Sequence, residues 1–274
     1  MTGEPRRGLE IGAVLSPIAD WATVAAAATA ADDAGLDAIG MYDHYHSARP
    51  DWGYICGWSA YGALAGLTTR VRLVPMVLNG LHYELGVLAK ESAVLSLLSG
   101  GRFELAIGAG DWPGSFEAWG QPFPDAESRL ERLDETITAL RRLWSGEAVD
   151  FDGRHVQLRG AISTPAPERP PPVVVGVGGS RRTLARAVTF ADEVNLYDDR
   201  ALIAAAGDAI QASGRPLRRS VFLSWEWEKW PADPEAALVD LASRGIDRAF
   251  VTLAAPDILD RISTLGRIRR TIGR

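Results

Sequence analysis

Three short apolar runs in this chain end in residues able to do chemistry. The first, 38–42, is followed by Asp43 and His44, an acid and an imidazole side by side. The second, 103–107, runs into Gly108, Ala109 and Gly110 and then a carboxylate, Asp111. An imidazole titrates near neutral pH and suits proton transfer, and a nearby carboxylate can serve as its acid partner. Three residues almost without side chains leave the backbone bare, so a flat ligand can lie directly against it. The third run, 173–177, passes through Gly176 and Val177 to Gly178, Gly179 and Ser180, with Arg181, Arg182 and Thr183 next. If a helix starts there, free N–H groups, the helix dipole, two hydroxyls and the guanidiniums make a seat for a phosphate.

Each motif has a plainer alternative. The glycine stretches also fit ordinary strand-to-helix turns. His44 also fits a hydrogen-bonded loop histidine, or a metal site with His46, although only His82 and His155 remain as further imidazoles. The run Ser224–Trp230 alternates tryptophan with glutamate, which puts Trp225 and Trp227 on one face of an extended strand and Glu226 and Glu228 on the other. With Trp52, Trp58 and Trp112 in other loops, it points to an aromatic pocket for a planar ligand. Lysine chemistry has only two candidates, Lys90 and Lys229.

The elements needed to position these groups recur along the chain. Strands are expected at 9–15, 38–42, 71–78, 103–107, 173–177, 194–197, 221–227 and 249–253. Helices are expected at 21–34, 58–67, 84–98, 126–144, 182–191, 201–213, 234–244 and 258–272, the first capped by Asp20 and closed by Gly35. A hairpin-like piece around Gly153 and a proline-rich run interrupt the rhythm between the fourth helix and the fifth strand. Eight strand–helix pairs with short, buried-type strands give a (β/α)8 TIM barrel, an α/β fold, formed as a single domain over residues 1–274. In such a barrel the site lies at the carboxyl ends of the strands, which selects Ser16, Asp43, His44, Asn79, Asp111, Ser180, Asp198 and Glu226.

The 274 residues suit one barrel, and the net charge of −6 with a pI near 5.3 argues against nucleic acid or an anionic membrane as partner. No segment has the apolar length to span a bilayer, and no apolar leader follows the first residues. Cys56 is the single cysteine, so there is no intramolecular disulfide. A cytoplasmic protein acting on a small molecule is the expectation.

Taken together, the run from Leu98 to Asp111, Ala34–Ile39, Asp43-His44, Thr69–Leu73, Leu143–Glu147, Gly153-Arg154-His155 and Pro170–Ser180 resemble the luciferase-like monooxygenase superfamily. That superfamily contains flavin- and coenzyme F420-dependent barrel oxidoreductases. The resemblance implies a non-prolyl cis peptide at Met76-Val77 behind the cofactor ring, with Asp43 and Asn79 nearby and Gly108–Gly110 beside the ring. It implies that Gly176, Val177, Gly178, Gly179, Ser180 and Thr183 hold the cofactor phosphate. His44 matches the active-site histidine of the deazaflavin sugar-phosphate dehydrogenases of the superfamily, and Asp111 falls where they carry a glutamate, one methylene longer. The tryptophan they place four residues after the histidine is Ala48 here, so sugar-phosphate activity does not follow. The Asp-His pair and the acid at Asp111 favour coenzyme F420 and hydride transfer. FMN with monooxygenation and a non-catalytic flavin-binding protein are the alternatives. The resemblance also implies a homodimer.

Overall fold

Alternation along the strands sorts one set of residues toward the helices and the other toward an interior. Ile11, Ala13 and Leu15, then Ile39, Leu105 and Ile107, then Val173, Val175 and Val177 all join the large core beneath the helices. The residues between them, Val14, Ala38, Val74, Met76, Ala106, Val174 and Phe250, form a separate inner cluster. A sheet apolar on both faces must be covered outside and filled inside, which is the demand a curled parallel sheet meets. The inner side chains are mostly small because space is short: a Cβ on Gly12 would come within 2.7 Å of the Phe250 ring.

The computed structural model describes residues 8–15, 20–47, 49, 53–225, 229–254 and 256–273. Its strands in chain order are β1 (Glu10–Leu15), β2 (Ala38–Met41), β3 (Arg72–Leu73), β4 (Leu78–Asn79), β5 (Leu105–Gly108), β6 (Val149–Asp152), β7 (Gln157–Ala161), β8 (Val173–Gly178), β9 (Glu193–Tyr197), β10 (Arg218–Leu223) and β11 (Arg248–Leu253). Nine of them form one parallel sheet in the order β3-β2-β1-β11-β10-β9-β8-β5-β4. The two ends of that order, β3 and β4, belong to a single stretch of chain. Leu73 also bridges to Phe103 just before β5, so the parallel sheet is curled. β6 and β7 pair antiparallel, and the Glu135 carboxylate anchors them by accepting the N–H groups of Arg154, His155 and Val156 at 2.8 to 2.9 Å.

The helices are α1 (Trp21–Ala34), α2 (Gly57–Leu67), α3 (Leu85–Leu98), α4 (Pro113–Ala118), α5 (Ala126–Leu143), α6 (Arg181–Phe190), α7 (Arg200–Ser213), α8 (Pro234–Ser243) and α9 (Ile258–Ile272). Asp20 caps α1 by accepting the N–H groups of Ala22 and Thr23, and Gly35 closes it at φ 75°. The expected apolar face of α5 is buried at Leu130, Leu133, Ile137, Leu140 and Leu143. Each such side chain contributes roughly 1.5–3 kcal/mol on removal from water.

Three expectations need correction. The strand expected at 71–78 is split: Val74 and Met76 still donate to Ile39 and Met41 on the β2 side, but ladder pairing with β5 is confined to Leu78 and Asn79. The Met76-Val77 peptide at the split is cis. The strand expected at 221–227 instead starts at Arg218, in register with Glu193, and ends at Leu223. Trp225 then turns inward to 8% exposure, edge-on to Trp230 with ring centroids 5.1 Å apart, and so packs instead of lining a mouth. After Asp111 the chain forms the short helix α4, begun by Trp112 in the left-handed region at φ 49°.

At the opposite, amino end of the strands lies a charged layer. Arg248 is 1% exposed and donates to Glu104 at 2.6 Å and to Glu193, while Glu10 accepts from Arg72 at 3.0 Å and Arg218 at 2.6 Å. Burial alone would push the Arg248 guanidinium down, but Glu193 and Glu104 hold it above its ordinary range. This charged layer lines a cavity of about 640 Å³ at the amino end, bounded by Arg72, Glu104, Glu193, Arg218 and Arg248.

Candidate active site

A cavity of about 660 Å³ opens at the carboxyl ends of the strands. Its floor and walls are the residues that follow β2, β4, β5, β8, β9 and β10, as the rule for parallel barrels requires. Asp43 and His44 line it after β2, with Met76, Val77 and Asn79 across the third strand position. Gly108, Ala109, Gly110 and Asp111 line it after β5, and Gly176, Val177, Gly178, Gly179, Ser180 and Thr183 after β8. These fifteen residues, drawn from four separate stretches of the chain, therefore reach one space.

The middle of this wall is a shelf built around Val77. A Cβ on Gly108 would stand 3.1 Å from Val77 Cγ2, and one on Gly176 would stand 2.9 Å from it. Glycines on both flanks are what let the Val77 side chain sit between two strands. Gly110 has φ 88°, and a Cβ there would meet Asn79 Oδ1 and Leu81 Cδ1, each at 2.9 Å. That edge of the cavity is bare backbone for both conformational and steric reasons.

Asp43 anchors the shelf from behind. It is 5% exposed, accepts the Asn79 N–H at 2.9 Å through Oδ2 and the Tyr83 hydroxyl at 2.8 Å through Oδ1. Tyr83 in turn accepts the Tyr45 hydroxyl at 2.8 Å. Burial pushes the Asp43 carboxyl up to about 6, and its two donors offset only part of that rise.

His44 sits in a ring of aromatic edges. Its imidazole meets Tyr54 at 5.1 Å, Tyr42 at 5.6 Å and Trp112 at 6.3 Å between centroids. Burial lowers its pKa below the ordinary imidazole value, and the negative charge of Asp111 draws it partly back. A histidine in that state is neutral at pH 7 and ready to accept a proton, beside a carboxylate that stabilises the imidazolium formed.

The residues expected to seat a phosphate line another part of the same cavity. Ser180 caps α6, its hydroxyl accepting the Thr183 N–H at 3.1 Å. The amino end of α5 faces the same space with Ala126 and Arg129. Arg129 lies over the Phe123 ring at 4.1 Å and donates to the Pro124 carbonyl at 2.7 Å, while its buried Nε has no hydrogen-bond partner. An orphaned guanidinium N–H and a helix amino terminus fit an anionic group placed between them. Arg182, expected to serve the anion, is drawn to Glu127 at 3.3 Å, and Arg181 does not line the cavity.

Other expected site residues go elsewhere. Asp198 pairs with Arg244 of the following helices at 2.8 Å and is not part of the wall. Trp58 is in α2, packed on Tyr83 and Phe103. His46 lies against the Trp112 ring at 5.2 Å, and among the described residues no group of three or more His, Cys, Asp and Glu side chains could hold a metal. Burial pushes the Cys56 thiol up to about 12, which removes thiolate chemistry. Ser16, Ala48, Trp52 and residues 226–228 lie outside the described residues.

Comparison with known proteins fits this geometry. The family model of luciferase-like monooxygenase matches residues 7–251. This chain belongs to the luciferase-like monooxygenase family. Its curated relatives include F420-dependent glucose-6-phosphate dehydrogenases from Kineococcus radiotolerans and Amycolatopsis mediterranei. The first is 31% identical over 75% of this chain and 64% of its own length, the second 34% identical over 56% and 46%. The matched part of the chain thus spans about half to two-thirds of those relatives. Among solved structures, an F420-dependent secondary alcohol dehydrogenase in complex with an F420-acetone adduct superposes with a TM-score of 0.82. At 16% identity, covering 97% of this chain and 99% of that one, it shows that the fold is shared.

Sequence reasoning missed several wall residues of this family member: Tyr42, Arg129, Asn195, Tyr197 and Phe222 all line the cavity. Tyr42 and Tyr197 stood at expected strand ends and were legible from position. Arg129 was not, because a helix residue's approach to the strand ends depends on how α5 packs.

Proposed function

We propose that this chain is an oxidoreductase that moves a hydride between coenzyme F420 and a small organic substrate, and that residues 1–274 form one (β/α)8 barrel domain carrying an inserted hairpin and proline-rich segment. The observation that carries the proposal is the convergence, in one strand-end cavity, of a glycine-flanked shelf, an anion seat and a neutral histidine beside a carboxylate. The F420-dependent relatives favour the deazaflavin over FMN.

The residues present fit such a coenzyme. Gly108, Ala109, Gly110, Met76, Val77 and Gly176 provide the bare wall for the ring, with Asp43 and Asn79 fixing the shelf. Val177, Gly178, Gly179, Ser180, Thr183 and Arg129 provide the seat for its phosphate. The coenzyme, when bound, supplies a carbon centre that accepts or returns a hydride and reacts poorly with oxygen. His44 takes the hydroxyl proton of an alcohol as the carbon–oxygen double bond forms, and returns it in the reverse direction. Asp111 stabilises the positive imidazole.

The test is to supply oxidised coenzyme F420 and a panel of alcohols deuterated at the carbinol carbon. One deuterium per turnover in the reduced coenzyme is expected. Tight coenzyme binding with no transfer to or from any alcohol or carbonyl substrate would instead mark a non-catalytic binding protein.

A further inference from the structure

The end of the cavity around His44 has an aromatic lining with no cation, and we infer that it selects an uncharged substrate with an apolar or aromatic body and rejects sugar phosphates. The inference rests on the proposed reaction and names the substrate class for that same site.

The rings form a continuous series. Along the lining, His44 meets Tyr42 at 5.6 Å, Tyr42 meets Phe222 at 5.9 Å, and Phe222 meets Tyr197 at 6.3 Å. Such a wall offers ring faces and edges at a spacing suited to a further ring or a branched hydrocarbon. Asp111 also lines the cavity, and its field reaches both the His44 imidazole and the Tyr197 hydroxyl; burial first, and then this charge, raise the Tyr197 pKa. A phosphate ester held near His44 would therefore face a carboxylate.

Among the described residues no cation lining the cavity stands beside His44 to offset that repulsion. Among the described residues the cavity is lined by two basic side chains, Arg129 and Arg182, both on the helices that form the anion seat. Arg49 and Lys229, the cations of the mouth loops, do not line it. Burying a dianionic phosphate there without a partner is strongly unfavourable. The one polar handle the wall keeps is His44, which suits a single hydroxyl or carbonyl oxygen on an otherwise apolar molecule.

Binding is measured by saturation-transfer difference NMR on the full chain with 1-phenylethanol and with glucose 6-phosphate, each with and without oxidised coenzyme F420. The expected result is transfer to the phenyl protons and none to the sugar phosphate. Phe222→Ala should weaken the alcohol about tenfold. Glucose 6-phosphate binding as tightly as the alcohol, or no alcohol binding in either state, would overturn the inference. Coenzyme binding is read separately by its own fluorescence. A protein that binds coenzyme but not the alcohol defeats this inference alone, and one that binds the alcohol but not the coenzyme defeats the proposed reaction and leaves the pocket chemistry standing.

Discussion

Tyr83 donates its hydroxyl to Asp43 Oδ1 at 2.8 Å, tying the acid behind the shelf to a second layer of the wall. With the Asn79 N–H on the other oxygen, Asp43 is held in place yet remains poorly solvated, and its pKa rises from 3.8 to about 6. The native state thus binds this proton more tightly than the unfolded chain does. The contribution of Asp43 is most favourable below about pH 4 and is lost as pH rises through 6. Asp43→Asn should raise unfolding stability at pH 8 by about 2–3 kcal/mol and by much less at pH 4.5. Urea unfolding at the two pH values measures this. Equal effects at both would show that desolvation does not govern Asp43.

His44 and Asp111 together make a prediction about rate. Because burial lowers the His44 pKa below its usual value, alcohol oxidation should be level from about pH 7 upward and fall only on the acid side. His44→Ala should lower kcat by roughly 10²–10⁴-fold with coenzyme affinity unchanged. Asp111→Asn removes the charge that draws the His44 pKa up, so its acid limb should move to lower pH. An unmoved limb would separate Asp111 from the proton chemistry.

The shelf gives a steric prediction. Gly176→Ala would set a methyl 2.9 Å from Val77 Cγ2, and Gly110→Ala would force a side chain at φ 88° against Asn79 Oδ1 at 2.9 Å. Each should cost about 1–3 kcal/mol of stability and weaken coenzyme binding at least tenfold. Gly62→Ala is the control, since a Cβ there meets nothing within 4 Å. Thermal unfolding and coenzyme titration of the three variants check the difference.

How far such features could be read from the chain depended on whether the signal was local. Strand-end residues such as His44, Asp111 and Ser180 were legible because alternation and glycine punctuation mark where each strand stops. The split of the third strand was not, because Val71–Leu78 reads as one apolar run and its interruption comes from pairing with β2 on one side and β5 on the other. Trp225 misled for the same reason: alternation predicted an extended strand, while packing on Trp230 takes the chain out of the sheet. The ion layer of Glu10, Glu104, Glu193 and Arg248 left no pattern along the chain, since three of its members begin β1, β9 and β11 and Glu104 precedes β5.

That layer carries its own prediction. Arg248→Met would leave Glu104 and Glu193 buried without their shared cation and should cost about 3–5 kcal/mol. Replacing all three with apolar residues of similar size should recover much of the loss. Calorimetric unfolding of the single and triple variants tests this, and a single variant as stable as the parent would show that Arg248 does not hold the layer together.

The most direct test of the central claim is a side-by-side titration of the protein with oxidised coenzyme F420 and with FMN, following the fluorescence of each. Saturable quenching of coenzyme F420 is expected at micromolar concentration, retained in His44→Ala and lost in Gly176→Ala, with FMN bound more weakly. Tighter binding of FMN, or no binding of either, would contradict that claim.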